Sequence, residues 1–129
     1  MNLAPINLVA GWMGLLGGVA SGMVIGLCFH RDGWLGGYGS LRRRLVRLGH
    51  IAFLGLGFVN VLYALSVAQR PIAATLEHIA SGGFMLGAVT MPLCCFLAAW
   101  RTPFRHLFPV PVASILAGVL SVLIGWVWA

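Results

Sequence analysis

The sequence predicts an all-α integral membrane protein, a four-helix bundle of two transmembrane hairpins with both termini on the non-cytoplasmic side. Two observations predict this fold. Of the 129 residues, 60% are hydrophobic and only 8% are charged, whereas an ordinary soluble domain has about 25% charged residues. The few charges lie in short segments, and the stretches between them are uncharged. Because most of a soluble domain this small faces water, the composition excludes a soluble fold.

The uncharged stretches define the helices. Each is longer than the roughly 20 apolar residues that cross a bilayer as a helix. The predicted spans are 6–29, 46–68, 79–100 and 110–128, within a single domain covering residues 1–129. The first span has no basic segment before it, so we interpret it as a retained helix rather than a signal peptide.

The connections carry their own signals. Ser40 has the residue type of a helix N-cap, which predicts that the second helix begins at Leu41 with an amphipathic turn. Pro71 predicts the start of a short interfacial helix that carries Glu77 and His78. We expect the small residues 81–83 to loosen its join to the third span, and a kink at Pro92.

All eight positively charged side chains are arginines, and their distribution predicts the orientation. Arg70 is alone in the second loop; the first and third loops hold Arg31, Arg42, Arg43, Arg44, Arg47, Arg101 and Arg105. The positive-inside rule places those two loops in the cytoplasm and predicts a bacterial inner-membrane protein. We expect Arg42, Arg43, Arg44 and Arg47 to reach lipid headgroups, with Asp32 pairing to Arg42, Arg43 or Arg44. The net charge of +6 therefore does not indicate a nucleic-acid partner.

Small residues recur at four-residue spacing in two of the spans. The two rows are Gly14, Gly18, Gly22 and Gly26 in the first helix, and Ala113, Ala117, Ser121 and Gly125 in the fourth. Such rows let two helix backbones approach closely, which drives helix association in lipid. They predict helix packing within the chain, or a groove for another copy, another subunit or a flat cofactor. Within the second span, Asn60 is expected to hydrogen-bond across helices.

Three histidines lie near the predicted cytoplasmic boundary: His30, His50 and His106. Two imidazoles on facing helices are able to hold a haem iron, and nearby arginines are able to pair with its propionates. The sequence therefore allows a haem b site in which His50 and His106, with His30 as a third candidate, ligate the iron. The alternative is that these histidines simply hydrogen-bond at the polar boundary.

Three functions are compatible with these features. The first is a non-enzymatic subunit, assembly factor or stabiliser of a larger membrane complex, with lipids and a membrane-protein partner or a second copy as its contacts. The second is a haem-binding redox or haem-handling protein. The third is a transporter of lipids or small solutes, which the uncharged spans disfavour because transporters usually carry ionisable groups at mid-depth.

Overall fold

The computed structural model describes residues 3–128, which form four long helices joined by short connections. The helices are α1 (Ala4–Cys28), α2 (Leu41–Gln69), α3 (Ala74–Trp100) and α4 (Pro109–Val127), with 3-10 segments at Trp34–Gly36 and Thr102–Leu107. This described part contains no strand. All four helices are long and apolar enough to cross a membrane. The all-helical, four-helix prediction is therefore confirmed.

The observed start of α2 agrees with the prediction from the sequence, whereas that of α3 does not. Ser40 caps α2 as predicted, since its hydroxyl oxygen accepts a hydrogen bond from the backbone N–H of Arg43 at 3.2 Å. The predicted interfacial helix after Pro71 is wrong as a separate element, because α3 runs without a break from Ala74 through Glu77 and Pro92. Residues 81–83 do not loosen the helix, because Ser81 and Gly83 pack against α1 and α4.

Each helix packs against the next one along the chain, and α1 also touches α3. α2 and α3 are the most buried helices, whereas α1 and α4 leave most of their apolar surface exposed. We call the end that holds residues 29–40 and 101–108 the arginine-rich end. The opposite end, with Leu3 and residues 70–73, is called the Arg70 end.

Glycines bring α1 and α2 together. A Cβ atom added to Gly11 would lie 2.8 Å from the carbonyl oxygen of Gly57, and one added to Gly57 would lie 2.9 Å from the carbonyl oxygen of Gly11. Neither Gly11 nor Gly57 belongs to the predicted row; within that row, Gly18 faces Leu54. Side chains at these positions would force the two backbones apart, so close van der Waals contact is what joins α1 to α2.

The remaining members of that row behave differently from one another. Gly14 lies against α2 and Gly22 lies against the ring of His50, whereas a Cβ at Gly26 would meet nothing within 4 Å. The row therefore packs within the chain over three of its four glycines.

The contact between α3 and α4 also depends on glycines. A Cβ added to Gly83 would lie 3.1 Å from the backbone nitrogen of Gly118. Of the predicted α4 row, Ser121 and Gly125 are buried while Ala113 is exposed and Ala117 is half-buried. Gly118 lies outside the four-residue spacing of that row, so the spacing alone did not indicate it.

A buried hydrogen-bonded cluster links α1, α2 and α3. The Asn7 side-chain amide donates to the Asn60 side-chain oxygen at 2.8 Å, and the Ser81 hydroxyl donates to the Asn7 side-chain oxygen. Asn60 in turn donates to the backbone oxygens of Leu56 and Phe84. Asn7 and Asn60 are both 0% exposed. The prediction that Asn60 bonds across helices is confirmed.

Replacing Asn60 with leucine removes the acceptor of the Asn7 amide and leaves that amide buried without a full set of partners. We expect Asn60→Leu to lower the free energy of unfolding by about 1–2 kcal/mol. The measurement is reversible unfolding of the purified protein in detergent. The matched control is Thr90→Val, because the Thr90 hydroxyl donates only to Leu86 of its own helix. Equal losses in the two variants would contradict a linking role for the cluster.

Candidate functional site: the loop around Arg43

The connection between α1 and α2 folds back tightly at the arginine-rich end. Gly36 and Gly37 have φ angles of +88° and +92°, and Leu35 has a φ of 54°. Residues other than glycine rarely adopt a positive φ. The Ser40 hydroxyl donates to the Leu35 carbonyl at 2.7 Å while its oxygen caps α2. Ser40 thus joins the strained turn to the start of the helix.

Arg43 is the centre of this loop. Its side chain is only 1% exposed. The guanidinium carbon lies 4.6 Å from the ring centre of Phe29, 4.7 Å from that of Tyr38 and 5.5 Å from that of Trp34. The rings of Phe29 and Tyr38 meet edge to face at 5.7 Å. We call residues 29–43 the Arg43 loop.

The guanidinium has one hydrogen bond, from Nη2 to the backbone oxygen of Phe29 at 3.0 Å. Phe29 follows the last residue of α1, so Arg43 places its positive charge where the helix dipole is negative. Contact with aromatic faces adds about 0.5–2 kcal/mol for each favourable ring. These two effects offset part of the cost of removing the cation from water.

Two guanidinium nitrogens, Nε and Nη1, are buried without a hydrogen-bond partner. Burying unpaired N–H groups costs free energy, which offsets part of the stabilisation from the aromatic contacts. Three segments must converge to surround it: the end of α1, the turn at Trp34–Gly36 and the first turn of α2. The contacts of Arg43 therefore bring these three segments together around one side chain.

The burial of Arg43 corrects the expectation that this side chain reaches lipid headgroups. The aromatic rings from the loop enclose it, and the sequence spacing of the arginines does not reveal this. Arg42 is exposed, but its Nε donates to the backbone oxygen of Ala99 at 2.9 Å, which ties α2 to α3. Arg44 is exposed and Arg47 is half-buried, with its guanidinium 5.3 Å from the Tyr38 ring centre.

The predicted ion pair of Asp32 is not formed. No salt bridge occurs among residues 3–128, and Asp32 is exposed on the loop surface. The loop is therefore held by aromatic contacts, by backbone hydrogen bonds and by the hydrogen bonds of the Ser40 and Arg43 side chains.

Of the candidate haem ligands, His50 has a defined setting. Its Nδ1 lies 3.2 Å from the hydroxyl oxygen of Ser21, and that hydroxyl donates to the backbone oxygen of Gly18 at 3.0 Å. With the Ser21 proton directed to Gly18, the contact fits the tautomer in which Nδ1 carries the proton, and that tautomer would leave the lone pair on Nε2. Gly22 lies directly against the ring.

His30 and His106 have no such setting. Both are exposed, His30 just beyond α1 and His106 in the 3-10 segment Thr102–Leu107. At the other end His78 is exposed, with Nδ1 2.7 Å from the backbone oxygen of Ala74. Residues 3–128 contain no group of three or more His, Cys, Asp or Glu side chains arranged to hold a metal ion.

Two buried polar residues or their surroundings were missed in the sequence analysis. Asn7 was not singled out, because it lies close to the start of the first helix. The aromatic enclosure of Arg43 was missed as well, although Phe29, Trp34 and Tyr38 beside an arginine run are a signal for it. No protein-family model, curated protein or solved structure matches the chain.

If Arg43 holds the loop in one shape, removing its charge should let the loop open. In Arg43→Met we expect trypsin to cleave after the exposed Arg31 about tenfold faster, which corresponds to about 1.4 kcal/mol of local opening free energy. The control is Arg44→Met, the same change at the adjacent exposed residue. Similar cleavage rates in the two variants would show that Arg43 does not hold the loop.

Proposed function

We propose that the chain is a non-catalytic membrane protein that acts as a subunit, assembly factor or stabiliser of a larger membrane complex. In this proposal the four apolar helices cross the inner membrane of a bacterium, and both termini lie outside the cytoplasm. The support for the orientation is that seven of the eight arginines lie at the arginine-rich end.

The observation that carries the proposal is the Arg43 loop. A chain that only has to reverse direction between two helices needs no more than a few polar residues. Here the loop buries an arginine with two unpaired nitrogens and holds Leu35 at a positive φ. Buried ionic groups are kept in some proteins because they specify one conformation. A rigid shape at the membrane surface is what a partner protein recognises.

The outside of this loop supplies recognition groups of both charges. Arg31, Asp32 and Arg44 are exposed, and Tyr38 is 61% exposed while its ring contacts Arg43. Tyrosine and arginine are enriched among the residues that contribute most to protein interfaces. The exposed apolar surface of α1, which leads directly into this loop, extends the area open to a partner.

A photo-crosslinking residue at Gly33 or Gly39 tests the proposal, because a side chain at either position meets nothing within 4 Å. With p-benzoylphenylalanine there, we expect illumination of intact cells to give one adduct of fixed mass. The same probe at Thr75, exposed at the Arg70 end, should not give that adduct. Adding Arg43→Met should remove most of the adduct. Either no adduct at the loop, or one that is unaffected by Arg43→Met, would refute recognition through the Arg43 loop.

A second candidate function, haem binding, is favoured by the setting of His50. Its Nδ1 is held by Ser21, which leaves Nε2 free to ligate, and orientation of one ring nitrogen by a hydrogen bond is typical of metal-bound histidines. Gly26, one turn further along α1 than the Gly22 that packs against this ring, has open space at its Cα. His30 and His106 are exposed and, among residues 3–128, have no hydrogen bond that orients the ring as Ser21 orients that of His50.

An optical spectrum separates the two candidates. If His50 ligates haem, protein purified from haem-replete cells should show a Soret band that is lost in His50→Ala, because the iron loses its axial ligand. The band should persist in His78→Ala, which changes a histidine at the other end. A colourless and folded wild-type preparation would exclude haem binding.

A further inference from the structure

An apolar groove runs between α2 and α4 and ends near Arg70. It has a volume of about 230 Å³ and is lined by residues of α2, α3 and α4: Val59, Leu62, Tyr63, Ser66, Phe84, Val119, Val122, Leu123 and Trp126. Val59 and Ser66 are seven residues apart on α2, so the lined stretch extends about 10 Å along the helix. Its apolar lining and length suit the end of a hydrocarbon chain.

The hydroxyl of Ser66 is the exceptional polar group in this lining. The other two polar side chains of the lining are paired, since the Tyr63 hydroxyl donates to the backbone oxygen of Glu77 and Trp126 Nε1 donates to that of Arg70. Several hydroxyls elsewhere in the helices also donate to a carbonyl or a side chain: those of Ser21, Ser81, Thr90, Ser114 and Ser121. Among residues 3–128 the Ser66 hydroxyl has no hydrogen-bond partner, and it faces the groove. It is therefore available to donate to a polar group of whatever fills the groove.

Arg70 lies at the mouth of the groove against Trp126. Its Nη2 donates to the backbone oxygen of Trp126 at 2.8 Å, and Trp126 Nε1 donates to the backbone oxygen of Arg70 at 3.2 Å. The guanidinium carbon is 5.9 Å from the Trp126 ring centre. Arg70 is exposed and makes no ion pair within the described residues, so its other N–H groups remain open to an anion.

No other arginine or lysine lies at the Arg70 end of the described chain. The acidic residue at this end, Glu77, uses one carboxylate oxygen to accept the backbone N–H of Leu3 at 2.8 Å. Arg70 is thus an isolated positive charge on the side that the positive-inside rule leaves poor in arginine. An exposed cation in this place is complementary to a phosphate.

The order of these groups along α2 matches the order of groups in a glycerophospholipid. Ser66 and Arg70 are four residues apart, which is a rise of about 6 Å along the helix. A phosphate, an ester and an acyl chain follow one another from the membrane surface inward. The charged, hydroxyl and apolar parts of the groove follow one another in the same direction.

We propose that this groove binds an anionic glycerophospholipid, with its phosphate at Arg70, an ester oxygen at the Ser66 hydroxyl and one acyl chain between α2 and α4. This inference rests on the membrane insertion proposed above. It adds a specific lipid site on the non-cytoplasmic side, at the opposite end from the Arg43 loop.

Native mass spectrometry of the purified protein, titrated with phosphatidylglycerol, tests the site. We expect one retained lipid for each chain, with affinity about tenfold lower in Arg70→Gln and about threefold lower in Ser66→Ala, because a charge-assisted contact contributes more than a neutral hydrogen bond. Phosphatidylcholine with the same acyl chains should bind more weakly, since its ammonium group offsets the phosphate charge.

Because Arg70 also contacts Trp126, a second variant fills the groove without touching either residue. Val119→Phe should abolish the retained lipid, whereas Ile124→Phe, at an exposed position outside the groove lining, should leave it bound. Arg105→Gln and Ser114→Ala are the controls for loss of an exposed arginine and of a hydroxyl that is bonded within its helix.

Equal binding by the wild type, Arg70→Gln and Val119→Phe would overturn the proposal. So would a mass that shows a second copy of the chain in place of the lipid. A chain that does not enter bilayers at all would overturn both this site and the proposed function. If the Gly33 probe gives its adduct while no lipid is retained, the lipid site alone is wrong.

Discussion

The enclosure of Arg43 by aromatic rings is the constraint on which the arginine-rich end depends. A guanidinium that is 1% exposed must find an alternative to water, and here it has one backbone oxygen and three ring faces. Those groups come from the end of α1 and from the loop, and Arg43 itself lies in the first turn of α2, so its side chain links all three segments. The angle at which α2 leaves the loop therefore depends on one side chain, and the proposed partner surface is the outside of the same assembly.

Elsewhere the helices are joined by close backbone contact and by buried hydrogen bonds, which are the means by which helices associate in lipid. Gly11 and Gly57 bring α1 onto α2, and Gly83 with Gly118 does the same for α3 and α4. The cluster of Asn7, Asn60 and Ser81 then specifies how α1, α2 and α3 meet, because a buried amide is satisfied in one register only. Close contact supplies attraction, and the polar cluster supplies specificity.

Much of the fold is predictable from the sequence, because an uncharged run long enough to cross a bilayer has few alternatives to a helix. The cap at Ser40 and the interhelical role of Asn60 are also local properties of residue type. The start of α3 and the burial of Arg43 are not, since both depend on which distant segment packs against the residue. In sequence alone, a glycine that follows a polar residue, such as Gly82 after Ser81, is compatible with a turn or with a close helix contact. An arginine next to an apolar span, such as Arg43, is compatible with a lipid-headgroup contact or with enclosure by aromatic rings. The proposed lipid groove likewise exists only once α2 and α4 are both packed against α3.

The central claim is that Arg43 is enclosed by aromatic rings and shielded from water, and nuclear magnetic resonance of the arginine side chains tests it most directly. The Nε–H signal of Arg43 is assigned by its loss in Arg43→Lys. The account predicts a signal displaced by the ring currents of Phe29, Tyr38 and Trp34, with hydrogen exchange much slower than that of the exposed Arg44. An undisplaced signal that exchanges as fast as that of Arg44 would contradict the account.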